Sequence, residues 1–295
     1  MKDLIFSLLK VLVKLKLVTP YGIAYIKFMY KMHKVPHFKN PRDLNEKINY
    51  LKFYGDTTMW PMLSDKYKVR EYIESLGLGH TLVKLYGKWK DARNIDWDAL
   101  PDQFILKCNN GTGDVYICKD KNSIDKEKIT HYFNRMLKRD FGEVAGEPHY
   151  TKIKPYIIAE ELLDSTTQPC NSSSLVDYKI WCFNGEPFHI WCFYDRQKNH
   201  ALEALFDLEW NPHPQYFKWD EHYAQPKETL PKPKCLNEML EIAKKLSKGF
   251  PEVRVDLYEV NGRVYFGELT FSSNGGYDNG LTQEYSNMLG DLIKL

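Results

Sequence analysis

DYKIWCFNGEPFHIWCFYDR, residues 177–196, sets two alternating apolar runs on either side of an Asn184-Gly185 pair. Asn-Gly supplies the positive φ that both central positions of a type I′ turn require. The twist of that turn matches paired strands, so the stretch reads as an antiparallel hairpin. A two-residue turn pairs Lys179 with Ile190 and Trp181 with Phe188. The period of two then puts Asp177, Lys179 and Trp181 on one face. A second hairpin is expected in VRVDLYEVNGRVYFGELT (253–270), again around Asn-Gly.

Upstream, helical signals dominate residues 1–79. LNEKINYLKFY (44–54) reads as one helix, and LSDKYKVREYIESLGLG (63–79) as another, capped by Ser64 or Asp65 and stopped at Gly77 and Gly79. Short strands follow in TLVKLYG (81–87), FILKC (104–108), DVYICK (114–119) and PYIIAEELL (155–163), with a charged helix near 123–139. A proline-rich aromatic stretch (210–233) separates the first hairpin from a helix at 235–248. Strands and helices do not alternate regularly, so the class is α+β and not a doubly wound sheet.

The 295 residues can bury a sizeable core, and 43% apolar with 27% charged residues is an ordinary globular balance. Twenty tyrosines and seven tryptophans suit clefts for rings or sugars, or a well-packed mixed fold. Six cysteines (108, 118, 170, 182, 192, 235) form no CxxC pair, which favours reduced thiols in a cytoplasmic chain over a zinc site. Net charge is +2, but residues 1–40 hold eight lysines against Asp3 alone. Within that stretch LIFSLLKVLVKLKLV (4–18) is too short and too charged to span a bilayer. It reads either as a basic amphipathic helix lying on an anionic membrane or as a packed helix with lysines snorkelling outward. No basic stripe interleaved with aromatics appears beyond it, so nucleic-acid binding is not indicated.

Three strings carry chemistry. In FILKCNNGTGD (104–114) a strand ends in Lys107 and a loop with two glycines follows. Glycines let backbone N–H groups cradle phosphate oxygens and lysine adds a point charge, although the strand–loop–helix order of a P-loop is missing. In RVDLYEVNGRVYFGELT (254–270) Asp256 and Glu268 lie on adjacent strands, and paired carboxylates are what Mg²⁺ needs beside phosphates. A strict two-residue Asn261-Gly262 turn pairs Asp256 with Gly267 and sends Glu268 to the other face. The metal reading therefore predicts a three-residue or bulged connection. IIAEELL (157–163) reads as an edge strand or as a linker whose backbone meets adenine while Leu163 packs on the ring.

The order of these strings, with LNEKINYLKFYGD (44–56), LSDKYKVREYI (63–73) and DYKIWCFNGEP, resembles the ATP-grasp superfamily over roughly residues 60–280. The chain looks most like its teichuronopeptide-biosynthesis (TupA-like) branch. The resemblance implies an ATP-grasp fold with a helical N-terminal region, a small central flap subdomain and a C-terminal antiparallel-sheet subdomain. The corresponding segments are 1–98, 99–163 and 164–295. It further implies ATP and Mg²⁺ as cofactors. Lys66 and Lys107 would meet phosphates, and the flap spans Asn109 to Gly113 with Asn110, Gly111, Thr112 and Gly113 on ATP. Glu160, Glu161 and Leu163 would form the adenine hinge, and Asp164 would hold the ribose.

The metal would fall to Asp256, Glu268 and either Thr270 or Asn274, because Glu268-Leu269-Thr270 stands where the superfamily often has E-x-N. Arg254 and Lys179 would act on the reacting groups, and Asp177, Asp195 and Arg196 would face substrate; His149 and Tyr150 face substrate or only pack. The implied reaction joins a carboxylate to an amine through an acyl phosphate. The branch's link to bacterial surface polysaccharide suggests a uronic acid (free, nucleotide-linked or glycan-linked) and an amino acid or small amine. Two other readings stand beside it. Asp96-Trp97-Asp98 is formally the DxD string of metal-dependent glycosyltransferases, although IDWDALP reads more simply as a turn capped by Asp96. A non-catalytic ATP-binding scaffold of a polysaccharide-assembly complex is the other.

Overall fold

The computed structural model of the chain describes residues 16–198, 200–220 and 222–295. The helices among them are α1 Pro20–Met32, α2 Leu44–Tyr54, α3 Trp60–Leu63, α4 Val69–Ser75, α5 Lys126–Met136, α6 Phe141–Ala145, α7 Pro148–Thr151, α8 Leu236–Ser247 and α9 Gln283–Leu292. The strands are β1 Leu85–Trp89, β2 Phe104–Cys108, β3 Val115–Cys118, β4 Ile157–Glu161, β5 Asp177–Phe183, β6 Glu186–Gln197, β7 His200–Phe206, β8 Tyr223–Ala224, β9 Glu252–Val260 and β10 Arg263–Thr270. The mixed α+β class is as the sequence implies. Of the apolar, basic stretch 4–18, residues 4–15 lie outside the described residues. Among the described residues no helix is long and apolar enough to cross a membrane.

The chain divides into two compact units. The first takes the described residues up to Tyr25, Thr57–Tyr72 and Val83–Leu163. Its sheet is antiparallel in the order β1-β4-β2-β3. In FILKC the alternation of the sequence becomes alternation of burial: Phe104, Leu106 and Cys108 enter the core, and Ile105 and Lys107 face the other way. Helix α5 closes that core with Ile129 and Phe133, four residues apart and hence on one stripe. Its start is fixed by Asp125, whose carboxylate accepts from Lys128 N at 2.9 Å; a cap of this kind is worth ~1 kcal/mol.

The second unit takes Ile26–Asp56, Ile73–Leu82 and Asp164–Leu295. Its six-stranded sheet runs β10-β9-β5-β6-β7-β8, antiparallel except for the short parallel pairing of β7 with β8. Helix α8 lies against β5, β6 and β9. It buries Leu236, Met239, Ile242, Ala243 and Leu246, a 3.6-period stripe opposite Ile180, Cys182, Val253 and Val255. Truncating one of these, such as Leu246→Ala, would cost about 2–5 kcal/mol. With α8 holding one face, Asp177, Lys179, Arg254 and Asp256 of the same strands are gathered on the other.

Both Asn-Gly turns form, and each is followed by an irregularity on its return strand. In the first hairpin Phe183 pairs with Glu186 and Cys182 with Pro187, as a two-residue turn dictates. Phe188 is then extra, so Trp181 pairs with His189 and Lys179 with Trp191, one position beyond the expected partners. Rings hold the inserted residue: Phe188 stacks on His189 at 4.2 Å and meets Phe183 edge-on at 6.0 Å. The second hairpin keeps the two-residue turn, with Val260 opposite Arg263, and slips between Phe266 and Glu268. Gly267 is the surplus residue, and Asp256 pairs with Glu268 and Arg254 with Thr270. A β-carbon at Gly267 would stand 2.9 Å from both Asp256 O and the Tyr258 ring, so a glycine lets the bulge close.

Candidate active site

Two clusters of chemistry-bearing residues follow from this folding, one in each unit. In the first unit the pivot is Asn109, fully buried at the end of β2. Its side chain donates to Asp65 Oδ1 at 2.8 Å and to Lys154 O at 3.0 Å, and accepts from Tyr156 N at 2.7 Å. Its backbone oxygen accepts from Lys66 N at 3.1 Å. Asp65 in turn accepts from Tyr67 N and Lys68 N. Burial pushes its carboxyl up against these hydrogen bonds. The DK pair of the sequence is thus tied to the base of the glycine-rich loop, and Lys66 Nζ reaches Gly111 O at 2.5 Å. Asn110–Gly113 form the loop itself, closed by Cys108 N donating to Asp114 O at 3.2 Å.

On the face of β2 and β4 away from the core, Lys107 Nζ lies 2.5 Å from Glu160 Oε2, and Arg70 lies 3.6 Å from Glu160 Oε1. Glu160 is therefore buried as the counter-ion of two cations. Glu161 accepts weakly from Lys84 N at 3.4 Å, Leu163 is buried, and Asp164 caps the turn at Thr166. His149 packs edge-on to Trp60 at 5.2 Å and Tyr150 edge-on to Phe141 at 5.0 Å.

In the second unit the sheet face away from α8 carries a row of buried charges across neighbouring strands. Asp256 receives a two-pronged contact from Arg254, Nε at 2.7 Å and Nη2 at 2.8 Å, and Lys179 Nζ at 2.5 Å. Lys179 also lies 2.7 Å from Asp177, which Arg196 meets at 2.6 Å. Burial raises the Asp256 carboxyl in spite of Arg254 and Lys179. Burial works the same way on Asp177, but there Lys179 and Arg196 prevail and hold it below the ordinary value. The two acids share one ammonium and titrate as a unit. Glu268 lies 3.8 Å from Arg254 Nη2 and accepts from Thr270 Oγ1 at 3.3 Å. Asp195 stands apart from this row: its carboxylate accepts from Ser173 N at 2.7 Å.

The donor set can be tested against magnesium. Among the described residues no group of three or more His, Cys, Asp or Glu could hold a metal alone. Mg²⁺ asks for only one or two carboxylates when phosphates complete its shell. Asp256 opposite Glu268, with the hydroxyl of Thr270 beside Glu268, supplies oxygens of the right kind. Both Asp256 oxygens already accept from cations, so a metal ion held there would have to take the place of one such contact. Asn274 is held at φ +48 and donates to Asp278 Oδ2 at 2.8 Å.

The clamp on that loop was not foreseen from sequence. Asn45, Asn49 and Lys52 repeat along one face of α2 and bind the backbone of 275–278: Asn45 Nδ2 to Asp278 O at 3.0 Å, Asn49 Nδ2 to Gly276 O at 2.9 Å, Lys52 Nζ to Gly275 O at 2.8 Å. Polar residues at i, i+4 and i+7 on a buried helix face were the available signal. The alternative DxD string is a turn: Asp96 Oδ1 accepts from Ala99 N at 3.2 Å, and Trp97 packs on the first unit's core.

The search of curated proteins returns no match. Among solved structures, D-alanine–D-alanine ligase from Bacillus anthracis complexed with ATP is 14% identical, with a TM-score of 0.44 over 79% of this chain and 63% of that one. Phosphoribosylamine–glycine ligase from Thermotoga maritima is 9% identical, with a TM-score of 0.44 over 86% and 66%. The ATP-grasp ligase PsnB complexed with minimal precursor is 11% identical, with a TM-score of 0.42 over 81% and 62%. The chain thus spans less than two thirds of the length of the first of these. The sequence itself matches the TupA-like ATP-grasp family from residue 46 to residue 294, well over half of its length, and the chain belongs to that family.

Proposed function

We propose that this protein is an ATP- and Mg²⁺-dependent ligase that activates a carboxylate as an acyl phosphate and passes it to an amine, releasing ADP. The observation that carries the proposal is the Gly267 bulge, which sets Asp256 opposite Glu268 beside Arg254 and Lys179 in a chain of this family. Lys66, Lys107 and the backbone of Asn110–Gly113 contact the phosphates. Glu160, Glu161 and Leu163 border the adenine. Asp256 and Glu268, with Thr270 or Asn274, hold the metal. Magnesium, when bound, neutralises charge on the transferring phosphoryl group. Arg254 and Lys179 carry the remaining positive charge toward the phosphoryl and tetrahedral oxygens.

The carboxylate is a uronic acid, free or linked to a nucleotide or glycan, used in bacterial capsular or surface polysaccharide synthesis. A cleft of about 370 Å³ supports an anionic sugar: Lys179, Arg196 and Arg254 line it together with Trp191, Phe193 and Tyr223. Cations suit the carboxylate and aromatic faces suit the pyranose ring. The segments 1–98, 99–163 and 164–295 serve as substrate-side region, flap-bearing region and metal-bearing region. The proposal further places the protein in the cytoplasm, with the basic N-terminus in peripheral contact with the membrane.

Mass spectrometry after incubation with MgATP, UDP-hexuronates and a panel of amino acids tests the reaction. The expected products are an amide and ADP. AMP in place of ADP rules out the acyl phosphate, and no nucleotide turnover with any pair rules out the ligase.

A further inference from the structure

A second cavity, of about 180 Å³, adjoins the cationic cleft and shares Trp191, Phe193, Tyr223 and Asn274 with it. Its charge is of the opposite kind. None of the described residues lining the cleft is acidic, whereas Glu203, Asp220 and Asp278 line the smaller cavity against Lys31 and Lys218. Register explains the adjacency. Phe193 of β6 pairs with Asp177 of β5 on one side and with Glu203 of β7 on the other. Residues directly opposite in a ladder point to the same face, so Glu203 stands on the face that carries the metal pair and Lys179.

Two of the three acids are satisfied within the chain. Asp220 Oδ1 accepts from His222 N and Tyr223 N, and the two oxygens of Asp278 accept from Gly280 N and Asn274 Nδ2. Glu203 differs. It is 2% exposed, and its Oε2 accepts from Trp191 Nε1 at 3.0 Å. No described residue donates to its Oε1. Glu203 lines the cavity, and a cationic N–H group is the donor that a carboxylate oxygen in so sheltered a place binds most strongly.

We propose that the smaller cavity is the site of the acceptor amine, a small molecule bearing an ammonium group, and that Glu203 holds its nitrogen and takes its proton. The proposal rests on the ligase reading above. In the transfer the amine nitrogen bonds to the acyl carbon and the carbon–oxygen bond to phosphate breaks. One ammonium proton passes to Glu203, one leaves with the phosphate, and the third stays on the amide nitrogen. Burial pushes the Glu203 carboxyl up to about 8 against the Trp191 hydrogen bond, and Asp278 and Asp220 add to the rise. A carboxyl in that range both accepts and releases a proton near neutral pH. The lysines at the same cavity, Lys31 and Lys218, leave room for an amine that also carries a carboxylate, as an amino acid does.

Saturation-transfer NMR on the full chain with matched probes tests the site: glycine against glycolate, L-alanine against L-lactate, ethanolamine against ethylene glycol. The expected result is that at least one amine binds the wild type 10-fold or more tightly than its hydroxyl counterpart. Glu203→Gln keeps an acceptor for Trp191 Nε1 and removes the charge, so it should erase that preference while AMP-PNP affinity stays unchanged. Asp220→Asn, which leaves the Trp191 contact alone, should weaken the same amine. Equal affinity for amine and hydroxyl probes in the wild type overturns the proposal, as does a preference that survives in both variants. ADP release is read separately: selective amine binding without ADP-forming turnover strikes the ligase reading and not the cavity.

Discussion

Replacing Lys179 by methionine removes the ammonium that Asp177 and Asp256 share and leaves its apolar bulk. Lys179 Nζ lies 2.7 Å from Asp177 Oδ2 and 2.5 Å from Asp256 Oδ2, and these side chains are only 5% and 1% exposed. Each acid keeps one arginine, Arg196 and Arg254 respectively. What the substitution exposes is therefore the repulsion between two carboxylates whose oxygens stand no more than about 5 Å apart, worth ~3 kcal/mol at an effective dielectric of about 20. Protonating one acid relieves it. A carboxyl whose folded pKa is raised binds more protons folded than unfolded, so its contribution is present at low pH and is lost as pH rises through the folded value. Asp256, already raised by burial, is the one pushed further. Thermal melts should show Lys179→Met lower than wild type by about 6–12 °C at pH 7.5, with most of the deficit gone at pH 4.5. A deficit equal at both pH values, or one under about 1 kcal/mol, would refute the shared-cation account.

Lys107→Ala and Glu268→Ala should each lower ADP-forming turnover by about 100-fold or more while circular dichroism stays native; turnover retained in both would remove them from the site. Gly276 has φ +73, and a β-carbon there would meet Asn49 Nδ2 at 2.5 Å. Gly276→Ala should therefore cost about 1–3 kcal/mol, and an unchanged urea midpoint would show that α2 does not grip the loop. Glu252 is buried with neither carboxylate oxygen hydrogen-bonded among the described residues, and burial pushes it up to about 8 against Arg254. Its folded pKa lies above the ordinary 4.5, so wild-type stability should fall from pH 5 to pH 9. Glu252→Gln should flatten that fall in urea titrations, and an unchanged slope would remove Glu252 as its source.

Local chemistry was legible and register was not. Asn184-Gly185 and Asn261-Gly262 announced both hairpins because the type I′ turn is a property of two adjacent residues. FILKC announced the strand that ends in Lys107 because a run of strand-forming residues is equally local. Phe188 is held by the rings of His189 and Phe183, and Gly267 by the backbone and ring it meets across the ladder, so where each surplus residue falls is set by pairing and not by the turn. The requirement that Asp256 meet Glu268 did call for a three-residue loop or a bulge, and the structure takes the bulge, at a residue the requirement did not name. The proline-rich 210–233 stretch reads as an interruption in sequence, yet it brings Lys218, Asp220 and Tyr223 to the acidic cavity through contacts with β7 and the loop at Gly280. The α2 clamp left only its i, i+4, i+7 spacing in the sequence and no mark of its partners: Asn45 finds Asp278 across more than two hundred residues.

The surplus glycine in the second hairpin also sets how this chain can change length. Between the turn and Glu268, β10 holds one residue more than β9 needs. If one residue were lost from that span, the strand could straighten, give up its bulge and keep Glu268 facing Asp256. If one were gained, a second bulge would be required in a ladder that already buries Val264, Phe266 and Leu269. Deletions should therefore be accommodated here where insertions are not, and descendants of this hairpin should drift shorter rather than longer.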